Sequence, residues 1–140
     1  MDTKMSEFLN EFMTAWNTHD VRAVTAWYAV DCEDIDVARS RPQYGADSVR
    51  RTLVYYLRAF PDFQVILNDA VADEERAALY WTWTGTHRGT FMNIPPTDRR
   101  VTVRGSSLVT LKDGKIQRAV RIWDLAGLLR DLKLLPELTG

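Results

Sequence analysis

Ile116-Gln-Arg-Ala-Val-Arg-Ile-Trp-Asp-Leu-Ala-Gly-Leu-Leu129 is the stretch whose reading decides the fold. Ile116, Arg118, Val120, Ile122 and Asp124 share one parity, the side-chain period of a strand, and the leucines from Leu125 to Leu135 then recur as in a helix. A strand therefore runs directly into a helix. On that parity Asp124 points with Val120 and Ile122 towards the core. A carboxylate among apolar side chains loses hydration, which suits it to taking and returning a proton. An Asp immediately ahead of a helix is also a natural N-cap. The two roles are compatible, because the side chain can face a pocket while the backbone starts the helix.

Upstream, the period of two recurs in Phe63, Val65 and Leu67, in Leu79, Trp81 and Trp83, and from Val101 through Val109 and Leu111. Asp113-Gly114 is a two-residue hairpin signal, and Asp73 to Arg76 is a polar turn. These segments predict an antiparallel sheet. Before Pro61 the period is helical: Phe8, Leu9, Phe12, Met13 and Trp16, then Val21, Val24, Trp27 and Tyr28 after an N-cap at Asp20, then Val49, Leu53, Leu57 and Phe60. His19, in the break between the first two helices, reads as a solvated turn residue. Cys32 to Ala38 reads as a short strand, and Gly85 to Arg100, with Pro95-Pro96, as a long loop that could overhang a pocket mouth. The predicted fold is α+β: a cone-shaped, curved antiparallel sheet with three N-terminal helices and a short C-terminal helix enclosing a pocket.

The chain has 140 residues, 46% of them hydrophobic, which fits one domain over residues 1–140. Lys and Arg total 18 against 19 Asp and Glu, so no excess positive charge exists to hold a nucleic acid. No stretch approaches transmembrane length and the first residues do not read as a signal peptide, so a soluble, cytoplasmic protein is expected. Cys32 is the only cysteine, and His19 and His87 are the only histidines and lie far apart. Neither a disulfide nor a metal site is expected.

Strand parity nominates the pocket lining. Leu79, Trp81, Trp83 and His87 share one face, and Val101, Val103, Ser107, Val109 and Leu111 another that meets it, unless a bulge at Gly105 inverts part of the strand. Ile122 and Asp124 complete the inward set, leaving Asp124, His87 and Ser107 as its polar groups. Asp36, and Asp34 beside it, could supply a second carboxylate. Arg104 falls on the outward parity, as do Arg121 and Trp123. Trp123 there suggests a contact between copies of the chain, a homodimer or higher homo-oligomer.

Several segments carry a family resemblance: Ala15-Trp-Asn-Thr-His-Asp20, Phe60-Pro-Asp-Phe63, Thr84-Gly-Thr-His-Arg-Gly89, Ile94-Pro-Pro-Thr97 and Trp123-Asp-Leu-Ala-Gly-Leu-Leu129. With the order of elements, they make the chain resemble the SnoaL-like polyketide cyclases of the nuclear transport factor two superfamily over nearly its whole length. The resemblance implies a cone-shaped domain with an internal pocket. It also implies an acid/base aspartate at Asp124 and a pocket residue at His87. The chain departs from the family at Asp98, where a glycine is usual, and at Asp131-Leu132-Lys133, where Gln-Leu-Gly is usual.

The expected reaction is a cofactor-independent intramolecular aldol closure of a hydrophobic, polycyclic or polyketide-like molecule. Asp124 would remove the proton, His87 would hold the oxyanion, and Trp81 and Trp83 would stack the substrate. An isomerase or cofactor-independent hydroxylase could use the same pocket, with Asp36 favouring the isomerase. Epoxide hydrolysis, which in this superfamily needs an Asp-Arg-Asp constellation around a water, ranks lower with Arg104 outward. A non-catalytic ligand-binding domain, with Asp124 only a cap, is the reading from another class.

Overall fold

Met5, Phe8, Leu9, Phe12 and Ala15 recur every three or four residues, and all five are buried along one side of helix α1 (Thr3–Thr18) in the computed structural model, which describes residues 3–139. The break that follows is a docking device. His19 adopts a left-handed conformation (φ 63°). Its Nε2–H donates to the Phe63 carbonyl at 2.6 Å, so this residue is tied to the sheet and is not the solvated turn histidine expected. Asn17 does more. Its amide donates to the Val65 carbonyl at 2.9 Å and accepts from the Val65 N–H at 2.8 Å. One side chain thereby satisfies both backbone groups of a residue on an edge strand.

Asp20 caps helix α2 (Val21–Thr25) by accepting from the N–H groups of Arg22 and Ala23. Strand β1 (Tyr28–Asp36), the two-residue β2 (Gln43–Tyr44) and helix α3 (Ala46–Ala59) follow, with Phe60 and Pro61 ending the helix. Strands β3 (Gln64–Ala72), β4 (Arg76–Thr86), β5 (Arg100–Lys112) and β6 (Lys115–Trp123) then form a meander, and α4 (Leu125–Asp131) closes the chain. The sheet order is β2-β1-β6-β5-β4-β3. The sheet is curved, unclosed and mixed rather than wholly antiparallel, because β1 pairs with β6 in parallel. A parallel pair needs a long crossover, and here α3 and four strands supply it. At the β5–β6 hairpin Asp113 (φ 52°) and Gly114 (φ 77°) both take the left-handed conformation read from the sequence. Asp98, standing where a glycine is usual, does the same at φ 58°.

One inserted residue reorders β6. Leu111 pairs with Ile116 and Thr110 with Arg118, which leaves Gln117 as a bulge. Because side chains alternate with period two, a single extra residue moves everything beyond it to the other face. Ile116 is buried as predicted, but beyond the bulge Ala119, Arg121 and Trp123 turn inward. Ile122 is 59% exposed, so it is not a pocket residue. Trp123 is not on the outer face: its indole N–H donates to buried Asp36 at 2.9 Å. No bulge occurs at Gly105, where the β4–β5 pairing runs unbroken from Arg76–Thr110 to Thr86–Arg100.

The same inversion moves Asp124. Its side chain is 45% exposed and reaches Arg130 only at 3.8 Å. Its Oδ1 accepts from the Gly127 N–H at 2.9 Å, making Asp124 the N-cap of α4. Gly127 makes room for this cap, since a Cβ there would lie 2.3 Å from Asp124 Oδ2.

Two stability predictions follow from these ties. Asn17→Ala removes two partly buried hydrogen bonds and should cost about 2 kcal/mol in urea unfolding, and Asn17→Asp, unable to donate, should recover only part of it. Asp124→Ala should cost about 1 kcal/mol in the same assay and Asp124→Asn under ~0.5 kcal/mol. An Asn substitution as damaging as Ala would contradict the cap.

Candidate active site

The concave face of the sheet and helices α1, α3 and α4 line a cavity of about 110 Å³ that is open to solvent at its mouth. Phe12, Met13 and Trp16 of α1, Tyr56 of α3 with Phe60 just beyond it, and Leu128 of α4 form one wall. Trp81, Trp83, Val103, Ser107, Val109, Ala119, Arg121 and Trp123 of the meander form the other. Aromatic contacts fix much of this lining, with Trp83 stacked on Phe63 at 5.5 Å and edge-on to Phe60 at 4.8 Å. Such apolar walls with few polar groups are those of a small-molecule site.

The polar groups are not those expected from parity. Arg121 lines the cavity with its side chain 15% exposed, and Asp34 lies behind it at 2%. The guanidinium donates from Nη1 and Nη2 to the two carboxylate oxygens at 2.6 and 2.9 Å, a bidentate pair. Burial opposes the charge of Arg121, but the hydrogen bonds and charge of Asp34 outweigh it and hold the guanidinium cationic well above its ordinary range. Burial, reinforced by Asp34, pushes the hydroxyl of Tyr28 far up, and burial lifts that of Tyr56 to about 12. Both phenols are therefore neutral hydrogen-bond donors across the physiological range.

Asp36 is the second buried carboxylate, 3% exposed. Its Oδ1 accepts from the Trp123 indole and the Ala38 N–H, each at 2.9 Å, and its Oδ2 meets the Tyr56 hydroxyl at 3.4 Å. Trp123 and Tyr56 line the cavity, so Asp36 stands directly behind its wall. Trp81, Trp83 and Ser107 are placed as expected, and the Trp81 indole donates to the Ser107 hydroxyl at 2.9 Å. The signal that points to this network lies in β1, where Asp34 and Asp36 alternate and bond Arg121 and Trp123, each two residues beyond its register partner in β6. A parity argument that runs through the bulge at Gln117 misses it.

His87 is fully buried but does not line the cavity. Its ring lies 5.5 Å from that of Phe60, which does. The Thr97 N–H donates to Nδ1 at 3.3 Å, and the Thr97 hydroxyl lies 3.0 Å from the same atom. Nδ1 is thus an acceptor, which assigns the proton to Nε2, an atom without a hydrogen-bond partner among the described residues. The segments that carry the family resemblance are largely structural ties. Gly89 lies so close to the end of α3 that a Cβ would be 2.2 Å from the Arg58 carbonyl oxygen, and the N–H groups of Arg88 and Gly89 both donate to the Ala59 carbonyl. Asp62 accepts from both the N–H and the hydroxyl of Thr86 at 2.7 Å. Among the described residues no cluster of His, Cys, Asp and Glu could hold a metal ion, and no helix is long and apolar enough to cross a membrane.

Comparison with known proteins agrees with this architecture. The family model of the SnoaL-like polyketide cyclases matches residues 6–132. No protein of curated function matches the sequence. Among similar solved structures, AclR from Streptomyces galilaeus, described as a candidate hydroxylase, is 29% identical, with 96% of this chain and 87% of that one covered and a TM-score of 0.84. TsrD from Streptomyces laurentii is 22% identical over 96% of this chain and 99% of that one, with a TM-score of 0.85. IdmH from Streptomyces antibioticus, described as a candidate polyketide cyclase, is 21% identical over 94% and 99%, with a TM-score of 0.80. The last two share the fold. With the family model spanning all but the ends and the cone and its cavity in place, this chain belongs to the SnoaL-like polyketide cyclase family.

Proposed function

We propose that this protein is a cofactor-independent acid/base enzyme acting on a hydrophobic, polycyclic or polyketide-like ketone held in the cavity, by way of an enolate that closes a ring. The observation that carries this reading is Arg121. Asp34 takes one N–H from each terminal nitrogen, and the remaining N–H groups have no partner among the described residues. A cation with free donors at the wall of an otherwise apolar cavity is suited to an oxygen that gains negative charge during reaction. Tyr28 and Tyr56, whose hydroxyls are neutral, also line the cavity and lie near enough to Arg121 to act on its charge.

Asp36 is the carboxylate we assign to the proton, because Asp124 is turned to solvent and caps α4. The C–H bond beside the ketone breaks as its proton passes to the Tyr56 oxygen and the Tyr56 hydroxyl proton moves on to Asp36 Oδ2, 3.4 Å away behind the wall. The electron pair becomes the enolate, whose oxygen Arg121 holds. The enolate carbon attacks a second carbonyl of the same molecule, a C–C bond forms, and Asp36 returns the proton to the new alkoxide. Trp81 and Trp83 hold the chain folded on itself, which supplies the proximity advantage. The burial of Asp36 also favours a second reading. A carboxylate shielded from bulk water can return the same proton to a different carbon, as in an isomerase. The description of AclR as a candidate hydroxylase is compatible with the same enolate meeting dioxygen instead.

All these reactions share the first step, so the test measures it without knowledge of the natural substrate. Exchange of the α-hydrogens of 2-tetralone, a bicyclic apolar ketone, into deuterium oxide is followed by proton NMR. Wild type should accelerate exchange, and Asp36→Asn should reduce it by roughly 10²-fold or more. The paired substitution Arg121→Gln with Asp34→Asn leaves no unpaired buried charge and should also cost about 10²- to 10³-fold. Asp124→Asn should exchange at the wild-type rate. Binding of 2-tetralone without acceleration would replace the enzyme by a ligand-binding domain.

A further inference from the structure

Two tryptophans on the strands either side of β5 converge on one glycine. Trp81 of β4 pairs with Gly105 of β5, which pairs in turn with Trp123 of β6, so the three stand in one row on the cavity face. A Cβ at position 105 would lie 2.5 and 2.7 Å from Cη2 and Cζ2 of Trp81 and 2.8 Å from Cβ of Trp123. The six-membered ring of Trp81 therefore occupies the space that any other residue at 105 would fill. Gly105 is neither a turn nor a bulge, since pairing runs unbroken through it and its φ is not positive. Space is what this position supplies.

Both indoles are also anchored. Trp81 Nε1 donates to Ser107 and Trp123 Nε1 to Asp36, each at 2.9 Å. The next row in the same register is Leu79, Ser107 and Arg121. Two residues along a strand is roughly 7 Å, so the free donors of Arg121 lie about one row beyond the aromatic wall.

We propose that Gly105 is the specificity-determining position of the cavity. Its missing side chain lets the indole of Trp81 settle over β5 beside Trp123, and the aromatic wall so formed selects flat fused-ring ligands with an oxygen near Arg121 over puckered ligands of similar size. This rests on the reading of Arg121 as the oxygen-binding group. A methyl group at 105 pushes Trp81 off the strand into the cavity and breaks its bond to Ser107, removing the surface on which a flat ring lies.

The test compares 1,8-dihydroxyanthraquinone, flat and oxygenated, with testosterone, a puckered ketone, using quenching of tryptophan fluorescence and calorimetry. Wild type should prefer the anthraquinone by about tenfold or more. Gly105→Ala should reduce that preference to below about threefold by weakening the anthraquinone, with little effect on the steroid. Trp81→Leu, which adds nothing at 105, should give the same loss and decides the matter if Gly105→Ala fails to fold by near-ultraviolet circular dichroism. A wild-type preference retained in Trp81→Leu, or in folded Gly105→Ala, would overturn the proposal while leaving the role of Arg121 intact. A wild type that binds neither probe overturns it too, and the 2-tetralone exchange then shows independently whether the Arg121 reading survives. A wild type that prefers the steroid overturns only the role of Gly105.

Discussion

Arg121 at the cavity wall and buried Asp34 behind it form one ion pair, and most of the cavity's character depends on it. It ties β1 to β6 across the parallel contact of the sheet, where backbone bonding is slightly weaker per residue than in antiparallel pairs. It also places a guanidinium at an apolar wall, which is tolerable only because both terminal nitrogens are met by one carboxylate. Breaking such a pair from one side typically costs about 3–5 kcal/mol, whereas replacing both members by apolar residues of similar volume is often neutral. Stability alone therefore gives little reason to keep it, and on the proposed reading the N–H groups that Asp34 does not take give a chemical one.

The second buried carboxylate repeats the arrangement in milder form. Asp36 bonds Trp123 and Tyr56 as Asp34 bonds Arg121, so the two buried carboxylates of β1 each orient cavity-lining groups. Behind the wall lie two acids, and at the wall lie their donors: a cation, an indole and a phenol. Such an arrangement gives an apolar site a fixed polar edge without exposing a free carboxylate at its centre. On the proposed reading a substrate lies between the aromatic rings and meets the N–H groups of Arg121 that Asp34 does not take.

Much of this was legible in the sequence. The helical runs in α1 and α3, the cap at Asp20, the stop at Pro61, the Asp113-Gly114 hairpin and the inward faces of β4 and β5 follow from local periodicity and turn chemistry, and those rules hold wherever strands pair without interruption. The family was legible for a related reason. Its motifs mark close backbone approaches, such as Gly89 against Arg58 and Gly127 against Asp124, which only particular residues allow. They identify a scaffold more than a reaction, and this is why the aspartate in the final motif drew attention that its carboxylate, facing solvent over α4, does not bear out in geometry.

By itself, then, the sequence determined the main helices and strands, their order and the family, because each is written in patterns a few residues long. It did not determine β2 or the start of β1 at Tyr28, which reads as the end of the second helix. Which side chains of β6 face the cavity was decided only by the tertiary structure. Gln117 bulges where β6 pairs with β5, and no local signal marks it, since the apolar alternation of Ile116, Val120 and Ile122 continues across it unchanged. One extra residue exchanges Ile122 and Asp124 for Arg121 and Trp123. The exchange is sustained by partners 85 or more positions away in the chain, the carboxylates of β1, which give a charged and a polar-tipped side chain reason to point inward.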